Sequence, residues 1–208
     1  MTIAHQQCSR LARLAGRVVM RLGRWRCEGE VPNVPRMVVI AAPHTSNWDL
    51  IYMLAAAFQL GLSVNWLGKN SLFRGPLGAV LRYFGGLPVD RSKPNQLIVK
   101  LAGEINQRAT CALVVPPEGT RAHTDHWKSG FYWIAVEANV PMVLAYLDWS
   151  TRRCGIGPTL VPTGNVADDM DKVREFYQDM RGRFPAQTST IRLRDESAGP
   201  DLDRAASG

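Results

Sequence analysis

Met37-Val38-Val39-Ile40-Ala41-Ala42 and Cys111-Ala112-Leu113-Val114-Val115 are short runs with almost no polar side chain, and residues 142–147 form a third. A run of this length without polar alternation is what a strand buried on both faces requires. Between these runs lie stretches with helical spacing. Leu97, Leu101 and Ile105 recur every four residues within 96–108. Helices are likewise expected after Ser46, over 75–83, over 131–139 and over 168–182, with further short strands at 64–68 and 87–90. Strands alternating with helices predict an α/β fold, a largely parallel mixed sheet flanked by helices. In such a sheet, sites form beyond the carboxyl ends of the strands. His44 follows one predicted strand end and Glu118 follows another.

The N-terminal segment stands apart from this alternation. The 208-residue chain carries a net charge of +7, and the excess is concentrated at its start. The first acidic residue is Glu28, and Arg10, Arg13, Arg17, Arg21, Arg24 and Arg26 precede it. Residues 9–26 read as an amphipathic helix. At 100° per residue, Arg10, Arg13, Arg17, Arg21 and Arg24 share one stripe, and Leu11, Leu14, Val18, Leu22 and Trp25 share a neighbouring one. That pattern fits a helix lying on an anionic membrane surface. The alternative is a surface helix packed on its own domain with solvated arginines. A nucleic-acid partner is disfavoured, because no aromatic interleaving or nucleic-acid motif accompanies the charge.

Three regions are expected: a basic membrane-surface helix over 1–30, a catalytic domain over 31–185, and a flexible tail over 186–208 that is acidic and small-residue-rich from Asp195. The longest apolar run, 50–62, is too short to span a bilayer. Arginines interrupt every candidate signal-peptide core. The expected location is therefore peripheral, at the cytoplasmic face of a membrane. Cys8, Cys27, Cys111 and Cys154 form no C-x-x-C pair and read as reduced thiols.

His44 and Asp49 are five residues apart. Inside one helix they would lie about 140° apart, on different faces. His44 is therefore expected in the loop and Asp49 in the first turn after it, where the carboxylate reaches back to the ring. It would hold one imidazole nitrogen as N–H and leave the other to accept a proton. This is the base and orienter of a triad without its serine. A substrate hydroxyl could take the serine's place. The bland alternative is a helix cap, because Ser46-x-x-Asp49 resembles a capping box; one carboxylate could also serve both roles.

Pro116-Pro117-Glu118-Gly119-Thr120-Arg121 is a rigid turn ending in an arginine, whose planar fork suits phosphate. Its alternative is a turn closed by a Glu118–Arg121 pair. Arg91, Lys69 and Lys128 offer further positive charge near apparent strand ends. No G-x-S-x-G elbow, H-E-x-x-H or Walker A sequence is present. His123-Thr124-Asp125-His126 makes a poor chelate, so no metal site is expected.

Together, His44-x-Ser46-x-x-Asp49, Asp90-Arg91 and Pro117-Glu118-Gly119-Thr120-Arg121, with Lys128 and Gly130 after them, resemble the motifs of the glycerolipid acyltransferase family. These are the lysophosphatidate acyltransferases and their relatives. Val140-Pro141-Met142-Val143-Leu144-Ala145 resembles the fourth family block but lacks its second proline. The match covers residues 36–147. The resemblance implies that His44 is the general base and Asp49 its orienter. It implies that Glu118, Gly119, Thr120 and Arg121, with Arg91, Lys69 and Lys128, bind substrate. It implies an acyl donor on coenzyme A or acyl carrier protein, no cofactor and no metal. The implied reaction is acylation of a lysophospholipid, 1-acyl-sn-glycerol 3-phosphate first, in phospholipid biosynthesis. Alternatives are an ornithine lipid or glycolipid acceptor, a hydrolase, and a non-catalytic membrane-surface binding protein.

Overall fold

The computed structural model describes residues 8–90 and 93–196. Helix α1 (Arg10–Leu22) leads into strand β1 (Arg26–Glu28). Three strand–helix units follow: β2 (Arg36–Ala42) with α2 (Trp48–Leu60), β3 (Asn65–Lys69) with α3 (Gly75–Tyr83), and β4 (Gly86–Val89) with α4 (Pro94–Asn106). Then come β5 (Cys111–Val115), α5 (Gly130–Ala138), β6 (Met142–Asp148), β7 (Arg153–Leu160) and α6 (Val166–Tyr177). The strands form one sheet in the order β1-β7-β6-β2-β5-β3-β4. Only the β6–β7 pair is antiparallel among these neighbours. The expected mixed, largely parallel sheet is what the chain forms.

Alternation along β2 shows why its apolar run is continuous. Val38 and Ile40 face a core completed by Leu101, Ile105, Phe131 and Met170. Met37 and Val39 face the opposite core, with Ala57, Leu62 and Phe73. Both faces of a central strand are covered, so both sets of side chains must be apolar. β2 pairs in register with β5 and β6. The segments leaving β2, β5 and β6 therefore meet at one edge of the sheet.

Helix α1 lies against α2 through its smallest residue. A Cβ on Gly16 would stand 2.6 Å from the carbonyl oxygen of Ala55 and 2.9 Å from the backbone nitrogen of Gln59. Met20 is buried beside it, in a core with Trp25, Ala55, Ala56 and Leu147. The apolar stripe is not the packing face: Leu11 is 78% exposed and Leu22 is 80% exposed, with Leu14 and Val18 also exposed.

The structure departs from the sequence expectations in several places; the helix expected over 168–182 already ends at Tyr177. The helix expected over 9–26 ends at Leu22; Arg24 takes a left-handed φ of 57° and the chain turns into β1. Trp25 is thus not on the helical stripe but buried against Tyr52 and Trp149. Strand β7 was not expected, because Gly155, Gly157 and Pro158 weaken its β character. Gly157 makes room there for the Phe176 ring, which an added Cβ would displace.

Within the span 186–208 expected as a tail, residues up to 196 contact the domain. Trp127 N–H donates to Arg192 O at 2.7 Å, Thr190 N–H donates to Thr124 O at 3.1 Å, and Leu193 is buried. Side chains add to this contact: the Thr124 and Ser189 hydroxyls bond at 2.9 Å, and Arg174 pairs with Glu196 at 2.9 Å. Residues 197–208 lie outside the described residues.

Candidate active site

β2 ends at Ala42, and Pro43 to Asn47 form the loop that enters α2. His44 sits in that loop and Asp49 in the first turn of the helix. Asp49 Oδ2 lies 3.3 Å from His44 Nδ1. The same oxygen accepts the backbone N–H groups of Thr45 and Ser46, both at 2.8 Å. The bond from Ser46 is half of a capping box, so one carboxylate caps the helix and faces the imidazole at once. Its other oxygen, Oδ1, accepts the indole N–H of Trp149 at 2.9 Å. Asp49 is buried, while His44 keeps 21% of its side chain exposed. With Nδ1 turned to the carboxylate, Nε2 on the opposite edge of the ring is the atom left to accept a proton.

Glu118 follows β5 in the turn that resembles a substrate-binding motif. The structure places its side chain beneath His44 and not on the cavity wall. It is 1% exposed, and Oε2 accepts the His44 backbone N–H at 2.7 Å. Its other oxygen, Oε1, is buried without a hydrogen-bond partner. Burial pushes its pKa from the ordinary 4.5 up to about 8; the bond from His44 opposes this, and the nearby Asp49 charge adds to it. At neutral pH the group is mainly a neutral carboxylic acid. No Glu118–Arg121 pair closes this turn.

A cavity of about 880 Å³ opens at His44. His44, Asn47, Gly119, Thr120, Arg121 and Lys69 line its polar part. The rest is apolar and runs between the sheet and helices α2 and α3, past Ala57, Leu62, Val64, Trp66 and Leu81. Gly119 adopts a left-handed φ of 69°, and the Lys128 stem packs beside it. Arg121 and Lys69 are exposed and, among the described residues, engage no acidic partner. Lys128 is exposed but does not line the cavity. Arg91 lies outside the described residues. His123 is engaged by Thr188 O at 2.8 Å. Among the described residues, no group of three His, Cys, Asp or Glu side chains is arranged to hold a metal ion.

Two residues that brace this site carry no sequence signal. Trp149, in the turn after β6, holds Asp49 from the side away from His44. The side-chain amide of Gln187, in the orientation that satisfies both ends, donates to Thr45 O at 2.9 Å and Arg121 O at 2.7 Å. It thus ties the two motif loops together. Phe184 N–H donates to Thr45 Oγ1 at 3.2 Å alongside it. A lone tryptophan or glutamine carries no motif, and only the fold brings these to the site.

The model of the family described as Acyltransferase matches residues 24–147, more than half of the chain. A curated relative, 1-acyl-sn-glycerol-3-phosphate acyltransferase of Streptococcus pneumoniae, is 29% identical over 136 residues. That alignment covers 61% of this chain and 50% of the relative, so the chain spans about half the relative's length. A solved structure, the 1-acyl-sn-glycerophosphate (LPA) acyltransferase PlsC of Thermotoga maritima, superposes with a TM-score of 0.55 at 18% identity. That superposition covers 81% of this chain and 74% of the other and shows a shared fold.

Proposed function

The chain belongs to the acyltransferase family, and from that premise we propose that it moves a fatty acyl group from a thioester to the hydroxyl of a lysophospholipid, 1-acyl-sn-glycerol 3-phosphate first. One observation carries the reading: the His44–Asp49 pair stands at the mouth of an apolar cavity whose rim holds Arg121 and Lys69. The base, the cations and the greasy channel are the three things this reaction needs in one place.

His44 Nε2 takes the proton of the acceptor hydroxyl as its oxygen attacks the thioester carbonyl. Asp49 keeps the Nδ1 proton in place and balances the imidazolium that forms. Such general-base assistance contributes typically ~10²–10⁴-fold. The tetrahedral intermediate collapses by breaking its C–S bond. The imidazolium then returns its proton to the departing thiolate, and no acyl group is ever bonded to the enzyme. The Gly119 N–H is occupied by Pro116 O at 3.2 Å, and those of Thr45 and Ser46 by Asp49. The N–H of Asn47, at the start of the helix and on the cavity wall, and those of Thr120 and Arg121 beyond Gly119 are the backbone donors offered to the oxyanion.

Arg121 receives the acceptor phosphate through its guanidinium fork, with Lys69 adding charge. The apolar length of the cavity takes the acyl chain. The donor is acyl-coenzyme A or acyl carrier protein. Supporting a lipid substrate, the exposed Leu11, Leu14, Val18 and Leu22 face of α1, flanked by arginines, fits an anionic membrane surface. No helix among the described residues is long and apolar enough to cross a membrane.

The test is thiol release from palmitoyl-coenzyme A, with and without 1-acylglycerol 3-phosphate, for wild type and His44→Ala. Release that depends on the acceptor and is lost in the variant supports the reading. Release that ignores the acceptor identifies a hydrolase. No release with either donor type overturns the reading.

A further inference from the structure

We propose that Trp149 is a positioning residue for the His44–Asp49 pair: its indole N–H fixes the carboxylate of Asp49 so that the opposite oxygen faces His44. The proposal rests on the acyltransfer reading for its kinetic consequences, but not for its geometry.

Topology puts Trp149 within reach. Ala42 pairs in register with Tyr146 across β2 and β6. His44 is two residues beyond the first and Trp149 three beyond the second, so both leave the sheet at the same edge. The turn that carries Trp149 is tightly held. Asp148 accepts the Ser150 backbone N–H at 3.0 Å and the Ser150 and Thr151 hydroxyls at 2.7 and 2.6 Å. The Trp149 backbone N–H donates to Arg181 O at 2.9 Å.

The indole is clamped as well. Trp25 and Tyr52 meet it edge-on, at centroid distances of 5.0 and 5.4 Å, and the Arg183 guanidinium lies 4.8 Å over its ring. Aromatic rings packed in this way cannot swing, so their polar edge has a fixed aim. That edge is a single donor with no acceptor capacity. It meets Asp49 Oδ1 at 2.9 Å. The carboxylate is thereby held at both oxygens, by the Thr45 and Ser46 N–H groups on Oδ2 and by Trp149 on Oδ1. Rotation about the Cβ–Cγ bond sweeps both oxygens, so the indole bond on Oδ1 adds to the two backbone bonds on Oδ2 in opposing it. Partners of this outer kind typically change activity by about 10–100-fold.

The test replaces Trp149 with β-(3-benzothienyl)alanine, which keeps the bicyclic shape and substitutes sulfur for N–H, and compares Trp149→Phe. Trp25→Phe perturbs the same aromatic cluster without touching Asp49. Two readouts are taken: kcat, KM and the pH profile of acyl transfer, and the His44 tautomer by ¹⁵N correlation spectroscopy assigned against His44→Ala. Glu118, bonded to the His44 backbone, Tyr52, packed on the indole, and Arg183, above it, also face this assembly and are unchanged in every variant.

Both Trp149 replacements are expected to lower kcat about 10–100-fold, leave KM within about twofold, and shift His44 away from the Nδ1–H tautomer. Trp25→Phe, which alters one wall of the clamp but keeps the indole N–H, is expected to move both readouts less than either Trp149 replacement. Retained kcat and an unshifted tautomer in the benzothienyl protein would overturn the proposal. If wild type transfers no acyl group, the functional reading fails by itself, and the tautomer shift alone decides for or against Trp149.

Discussion

Glu118 Oε2 accepts the backbone N–H of His44 at 2.7 Å, across 74 residues of sequence. The second motif loop thus supports the first from beneath. This gives Glu118 a task that the motif does not reveal: it satisfies the partly buried backbone donor of the proposed base while staying out of the cavity.

Glu118→Ala is therefore expected to lower kcat and to leave the KM for the acceptor nearly unchanged. Truncation orphans the His44 N–H, at a cost of about 1–3 kcal/mol in stability. Glu118→Gln keeps an acceptor at that position and is expected to retain more activity than the alanine variant. Steady-state kinetics with both substrates varied will check this; an acceptor KM raised more than tenfold in the alanine variant would place Glu118 on the substrate instead.

The same residue makes stability depend on pH. Its folded pKa is raised from 4.5 to about 8, chiefly by burial. Between those values the native state binds the proton more tightly than the unfolded chain does. The contribution is therefore full below pH 4.5, falls as pH rises, and is lost beyond about pH 8. Thermal melts of wild type and Glu118→Gln over that window are expected to differ in slope, with the glutamine variant flatter. Parallel curves would contradict the raised pKa.

Arg121 lines the cavity mouth with no acidic partner among the described residues. Arg121→Ala is expected to raise the acceptor KM by about 10–100-fold, the scale of one charge-assisted hydrogen bond. Arg121→Lys should recover only part, because an ammonium cannot make the bidentate contact. A monoacylglycerol lacking phosphate serves as the comparison acceptor, and its turnover is expected to be indifferent to both substitutions.

The apolar wall predicts control of chain length. Ala57 is buried and lines the cavity. Ala57→Leu adds volume there and is expected to favour lauroyl over palmitoyl donors. One methylene in an apolar pocket is worth about 1–3 kcal/mol, so the ratio of kcat/KM values should move about tenfold or more. An unchanged ratio would place the acyl chain elsewhere.

The exposed side of α1 predicts surface binding. Leu14→Glu with Leu22→Glu is expected to weaken sedimentation with anionic vesicles more than tenfold, since each buried leucine contributes about 1.5–3 kcal/mol. Both side chains are exposed in the structure, so the melting temperature should hold. Vesicle binding unaffected by the pair would remove the membrane role from this helix.

Much of this was legible along the chain. The apolar runs of β2, β5 and β6 mark central strands because a strand covered on both faces can tolerate few polar side chains. The spacing of His44 and Asp49 already placed one in a loop and the other in a first helical turn. Turn punctuation was sufficient for α3, which Gly75-Pro76 opens and Gly85-Gly86 follows and which spans Gly75–Tyr83 as expected. Periodicity misled at residues 23–26, where an apparent helical stripe continued across a left-handed turn. It also missed β7, whose glycines serve close approaches that no local pattern records.

The sequence by itself determined the alternating elements, the family motifs and their order, because burial and turn chemistry act on neighbours in the chain. Only the tertiary structure decided how the motifs are used. Glu118 turned beneath His44, Trp149 took hold of Asp49, and α1 packed through Gly16, leaving its leucines open. Each of these rests on contacts between residues far apart in sequence. Such contacts exist only once the sheet has brought its strand ends to one edge, so no local spacing can encode them.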